Sequence, residues 1–109
     1  MKIWMDQQDV LDAVHVYIAA QENGGRVEGS APHNVHDVQL FHDEHQGFSA
    51  KGLHYGRHYR LNQQDVIDAV SVYLSAYYSF RADRLLVKLL WEAEEEQSGA
   101  FSADVIVER

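Results

Sequence analysis

The sequence predicts an α+β fold in which two β-α-β-β repeats form one antiparallel sheet of about six strands, with two helices packed on one face. Three observations predict it. The segment QQDVLDAVHVYIAA at Gln7 to Ala20 returns as QQDVIDAVSVYLSA at Gln63 to Ala76, with 10 of 14 positions identical. Shorter stretches around each copy alternate apolar and polar residues as half-buried strands do. Brief turn-forming clusters separate those stretches, which favours antiparallel hairpins. Repetition at this period marks one structural unit used twice, at roughly residues 2–54 and 58–108 of a single 109-residue domain.

The first element is a short strand at Ile3-Trp4-Met5, which aligns with Tyr59-Arg60-Leu61 before the second helix. Each helix then begins on a polar cap, Asp6 or Asn62, whose side chain can accept a backbone N–H. Asp9 and Asp65 stand three residues later in a carboxylate form of the capping box, and Met5 with Val10, or Leu61 with Val66, can staple the entry. These acids also oppose the positive helix end, which leaves them a structural role.

At 3.6 residues per turn, Val10, Val14 and Tyr17 form an apolar stripe flanked by Leu11 and Ile18. Val66, Val70 and Tyr73 repeat it, with Ile67 and Leu74 alongside. On the far side stand Val16 and Val72, at equivalent places where water would be expected; they point to helix contact or to a subunit interface. Tyr77 and Tyr78 at the end of the second helix extend that candidate interface, tyrosine being favoured in amphipathic contacts.

Gly24 and Gly25 are placed to end the first helix, and ENGGRVEGSAPHN between Glu22 and Asn34 has turn formers without a period, so it reads as a long loop. Its counterpart, Arg81-Ala82-Asp83, is much shorter. Strands follow, with Val38 and Leu40, then Phe48 and Ala50, on inward faces. In the second unit Leu85, Val87, Leu89 and Trp91, then Phe101, Ala103, Val105 and Val107, do the same. Turns are expected at His42 to Gln46, Tyr55 to Arg57 and Ala93 to Ser98. Two of them are acidic, His42-Asp43-Glu44-His45 and Glu92-Ala93-Glu94-Glu95-Glu96, and read as solvated tips that discourage edge aggregation.

Composition narrows the function. Hydrophobic residues at 46% and charged residues at 24% fit a folded domain. Without cysteine there is neither a disulfide framework nor thiolate chemistry. No stretch approaches the roughly 20 apolar residues that span a bilayer, and the charged opening MKIWMDQQ lacks a secretory apolar segment, so a cytoplasmic location without membrane contact is expected. With 17 acidic against 9 basic residues and a net charge of -8, nucleic acid is not an expected partner.

Seven histidines carry the lead to chemistry, and six fall between His33 and His58. Taken as cross-strand neighbours around Tyr55-Gly56-Arg57, His54 and His58 would have Cβ atoms about 5 Å apart, within reach of one divalent transition metal. His36 and His42 on one strand face could add a third ligand. The spacing matches no standard zinc pattern, so surface histidines are the bland reading. His15 aligns with Ser71 in the second copy, so it carries no shared catalytic function and reads as a partly exposed side chain. No nucleophile elbow surrounds Ser30, and no glycine-rich phosphate loop is present, so no catalytic residue is assigned.

With VQLFHDEHQGFSAKGLHYG, then LNQQDVIDAVSVYL and a closing AFSADVIVE, the chain resembles the YxcD-like family of small bacterial proteins over roughly Asp6 to Glu108. That family is a domain of unknown function, so the resemblance implies a compact intracellular domain and brings no catalytic residues. The expected function is a noncatalytic cytoplasmic interaction or regulatory domain, homodimeric and without a cofactor. A histidine-based metal binder and a small enzyme are the alternatives.

Overall fold

The computed structural model describes residues 1–94 and 97–108, the backbone alone at 92–94 and 97–100. Strand β1 (Lys2–Met5) leads into helix α1 (Gln7–Gln21), then a 3₁₀ turn at Pro32–Asn34, strand β2 (Val35–Asp43) and strand β3 (Gly47–His54). Strand β4 (Arg57–Leu61), helix α2 (Gln63–Tyr78), a 3₁₀ turn at Ala82–Arg84, strand β5 (Leu85–Glu94) and strand β6 (Gln97–Val107) repeat that order. The α+β class follows as expected.

Both helices start as their caps dictate. Asp6 and Asn62 accept from the backbone N–H of Asp9 and Asp65, whose side chains accept in return from the cap N–H groups, closing two capping boxes. At the other end of α1, Gly24 and Gly25 take left-handed φ of 67° and 82°, and Gly25 N donates to Ala20 O to finish the last turn.

The single six-stranded sheet is corrected to two three-stranded antiparallel sheets, ordered β1-β6-β5 and β2-β3-β4. Each joins the opening strand of one half of the chain to the hairpin of the other half. On the β2 edge a bulge lies between His36 and Gln39, with Asp37 at φ 56°, and such a bulge breaks the regular row of donors and acceptors a further strand would need. The sheets meet through side chains instead. His42 stacks on Trp91 with ring centres 4.7 Å apart and 15° between planes, and Phe48 meets Phe101 edge-on at 6.2 Å.

Inward residues of both sheets and both helices make one apolar cluster, including Val10, Val14, Ile18, Val35, Ala50, Val70, Leu74 and Val105. The expected helix stripes therefore lie in the core. Gly52 lets α1 approach β3 closely: a Cβ there would sit 2.6 Å from Ile18 Cδ1 and 3.2 Å from Val38 Cγ2. Val16, one of the two valines opposite the stripe, is buried within the chain at 5% exposure, and Val72 is partly buried. Tyr77 and Tyr78 stand exposed. The acidic tip at Glu92-Ala93-Glu94-Glu95-Glu96 reaches outside the described residues.

Candidate functional site

The histidines considered as metal ligands, His54 and His58 with His36 or His42, do not come together among the described residues, and the β3–β4 turn explains why. Tyr55 and Gly56 both take positive φ, 50° and 78°, as a two-residue hairpin loop requires, so His54 pairs with Arg57 and His58 pairs with Leu53. A one-residue offset reverses the face. His54 points inward and is 2% exposed, while His58 is exposed and shares the outward row of Leu53 and His36. Across the intervening strand, His36 and His58 stand roughly 10 Å apart. His42 lies at the far end of β2 among Trp91 and Phe48. Among the described residues no three His, Asp or Glu side chains converge as a metal site.

What the fold does gather is a polar group around His54. Glu22, just beyond α1, brings Oε2 to 3.1 Å from His54 Nδ1. Its Oε1 accepts from the Tyr59 hydroxyl at 2.7 Å and lies 4.0 Å from Arg57 Nε. The Tyr55 ring packs on His54 with centres 4.4 Å apart, and Asn34 Nδ2 hydrogen-bonds the Tyr55 hydroxyl. Glu22 and Asn34 are the two ends of the long loop, so one hairpin ties down both. Inside the loop, Asn23 Nδ2 donates to the carbonyls of Arg26 and Glu28 at 3.0 and 2.8 Å.

The Glu22 carboxylate is near His54 Nδ1 but out of line with a ring N–H, leaving both ring nitrogens buried without an aligned hydrogen bond. Such a group is costly in an apolar interior and marks the place where this fold departs from a pure packing solution. Tyr59 responds to the same surroundings: burial first, then its bond to Glu22, pushes its hydroxyl above the ordinary tyrosine range. The group couples the loop to the hairpin.

Sequence reasoning singled out His54 and missed Glu22, Tyr59 and Asn34 as its company. One signal was present: FSAKGLH aligns with FSADVIV, so His54 falls where the other unit has Val107, an inward position. His15, read as partly exposed, is half-buried and donates from Nδ1 to the Leu11 carbonyl at 2.8 Å.

Two other surfaces stand out. On the outer face of the β1-β6-β5 sheet, Trp4, Leu86 and Ile106 are 63%, 54% and 49% exposed. Beside it, a depression of about 320 Å³ between β1 and the end of α2 is lined by Met1, Trp4, Tyr73 and Tyr78. Burial, with Tyr78 as the second influence, pushes the Tyr73 hydroxyl up to about 12.

A family described as "Protein of unknown function (DUF2653)" matches residues 1–94. The "Uncharacterized protein YxcD" of Bacillus subtilis (strain 168) is 27% identical over 110 residues, covering 98% of this chain and 95% of that relative. No solved structure matches. The chain is therefore YxcD-like, as its motifs implied, and it belongs to the DUF2653 family.

Proposed function

We propose that this protein is a noncatalytic cytoplasmic interaction domain that pairs with a second copy of itself through the outer face of the β1-β6-β5 sheet. The observation that carries the reading is the exposed apolar patch of Trp4, Ile106 and Leu86, in which Ile106 is in register with Leu86 and Trp4 stands diagonally from it on β1. Trp4 also joins Tyr78 at the depression beside β1, so the apolar surface continues past the sheet edge. Within the same face Lys2 lies 3.7 Å from Asp104, and Lys88 is in register with Asp104. A twofold contact sets such a face against itself, so each copy would offer lysines and an aspartate to the other around an apolar centre.

The charge of the chain makes the reading specific. Two copies at -8 each repel, and salt screens that repulsion over about 8 Å at physiological strength, so self-association tightens as salt is raised. Sedimentation over rising concentration and salt tests it. Trp4→Ser with Leu86→Ser is expected to give a folded monomer, since both residues are mostly exposed, and to remove any concentration dependence of the melting temperature. A wild-type monomer at every concentration up to about 1 mM ends the reading.

Divalent-metal binding keeps one supporting observation, the unaligned His54 nitrogens beside the Glu22 carboxylate. It no longer needs His36, His42 or His58. Calorimetric titration of tag-free protein with zinc, nickel or copper, repeated on His54→Ala, tests it; absence of saturable binding removes it.

We also infer that the two units arose by doubling and share one domain. Three matched details support this: the element order, the capping boxes, and the first helical glutamines. Gln7 Oε1 accepts from Phe101 N and Gln63 Oε1 from Phe48 N, both at 3.1 Å, each helix start holding the hairpin of the other unit.

A further inference from the structure

The outer face of the β2-β3-β4 sheet carries an arrangement that packing does not explain. Lys51 and Arg60 are register partners on adjacent antiparallel strands, and like charges placed directly opposite each other destabilise a sheet. A chain with 17 acidic residues has ample means to neutralise them. Yet among the described residues neither cation makes an ion pair; the pairs found are Lys2 with Asp104, His54 and Arg57 with Glu22, and Arg81 with Asp83. The outward rows beside them hold Gln39, then His36, Leu53 and His58, then Phe41 and Ser49, with no carboxylate at any of these positions. The matching pair on the other sheet is Trp4 opposite Asp104, so the architecture does not require two cations there.

The two cations also line a concavity. A depression of about 520 Å³ is bounded by Phe41, Gln46, Ser49, Lys51, Arg60 and Asn62. The Lys51 ammonium stands 5.6 Å from the centre of the half-exposed Phe41 ring, which keeps an aromatic wall beside the positive charge. Asp65 also lines it, but its Oδ2 accepts from Asn62 N at 3.0 Å, at the positive end of α2. A volume of this size suits a small molecule rather than a polymer. Guanidinium favours the forked geometry of an oxyanion, and ammonium adds a point charge.

We propose that this depression binds a small organic anion, its phosphate or carboxylate group held between Lys51 and Arg60 and its flat apolar body laid against Phe41. The uncompensated charge pair is then a binding device, and the anion relieves the repulsion between its members.

Titration of the full chain with phenyl phosphate, benzoate, inorganic phosphate and phenol, read by amide chemical shifts and calorimetry, tests this and separates the phosphate from the carboxylate source. Phenyl phosphate or benzoate is expected to saturate the amides of Phe41, Ser49, Lys51 and Arg60, binding about tenfold tighter than phenol. Lys51→Gln and Arg60→Gln should each weaken binding about tenfold while leaving the melting temperature unchanged or higher. No saturable binding of either aromatic anion, or binding undiminished in the double variant, overturns the proposal. So does a fall in melting temperature on both single substitutions, which would make the pair structural.

Discussion

A buried imidazole is tolerated only with partners, and His54 has an incomplete set. Replacing a poorly partnered polar group with an apolar one of similar size is often neutral or stabilising, whereas removing its partner strands it. His54→Leu is therefore expected to leave unfolding free energy unchanged or raise it by about 1 kcal/mol, while Glu22→Ala lowers it by about 1–3 kcal/mol. Urea unfolding of the two variants decides; a loss above about 2 kcal/mol in His54→Leu would show that the imidazole is well satisfied. Tyr73 offers a pH test. Because its folded value of about 12 lies above the unfolded 10, the folded chain keeps the proton while the unfolded chain sheds it. The contribution is complete below pH 10 and disappears as pH climbs to 12, so wild type should lose more stability than Tyr73→Phe between about pH 10 and pH 12. Equal losses would remove the argument. At this scale the sequence showed that histidines were concentrated, but the face of each depended on a turn one residue shorter than expected. Glu22 and Tyr59 meet across 37 positions of chain, and nothing local records such a meeting.

Helices and strands were legible because their signals are local. Asp6 with Asp9, and Asn62 with Asp65, cap the helices they precede, and Leu85, Val87 and Leu89 alternate inward as their spacing required. The sheet count was not legible, since alternation says which side of a strand is buried and not which strand lies beside it. Nor does a pattern reveal why a glycine occupies a strand interior. Gly52 answers in the structure: β3 passes so near α1 that a methyl group would strike Ile18, which is fully buried, and crowd Val38. Gly52→Ala is consequently an overpacking substitution, expected to destabilise by about 1–3 kcal/mol despite the better strand propensity of alanine. Pairing it with Ile18→Val, which shortens the side chain in the way, should recover part of the loss. A neutral Gly52→Ala measured by denaturant unfolding would mean that α1 can shift off the sheet.

The molecule as a whole is decided by an exchange of strands. β1 in the N-terminal half completes the sheet built on the β5–β6 hairpin, and β4 in the C-terminal half completes the sheet built on the β2–β3 hairpin. Each half of the chain alone thus has an opening strand with no partner and a hairpin missing its third strand, and an isolated two-stranded hairpin is marginal in water. Gln7 and Gln63 reinforce the exchange by binding the backbone of the opposite hairpin. Residues 1–55 expressed alone should therefore not fold as a monomer. They are expected to be unfolded when dilute and, at higher concentration, to pair so that β1 of each copy docks on the β2–β3 hairpin of the other. Circular dichroism with sedimentation across a concentration series reads both states. Mixing this fragment with residues 56–109 should restore the structure at lower concentration than either fragment reaches alone, because Trp91 would again meet His42 and Phe101 would meet Phe48. A folded monomeric fragment would mean that β1 can pair within its own unit, and the exchange would then be a convenience of the fold rather than its organising constraint.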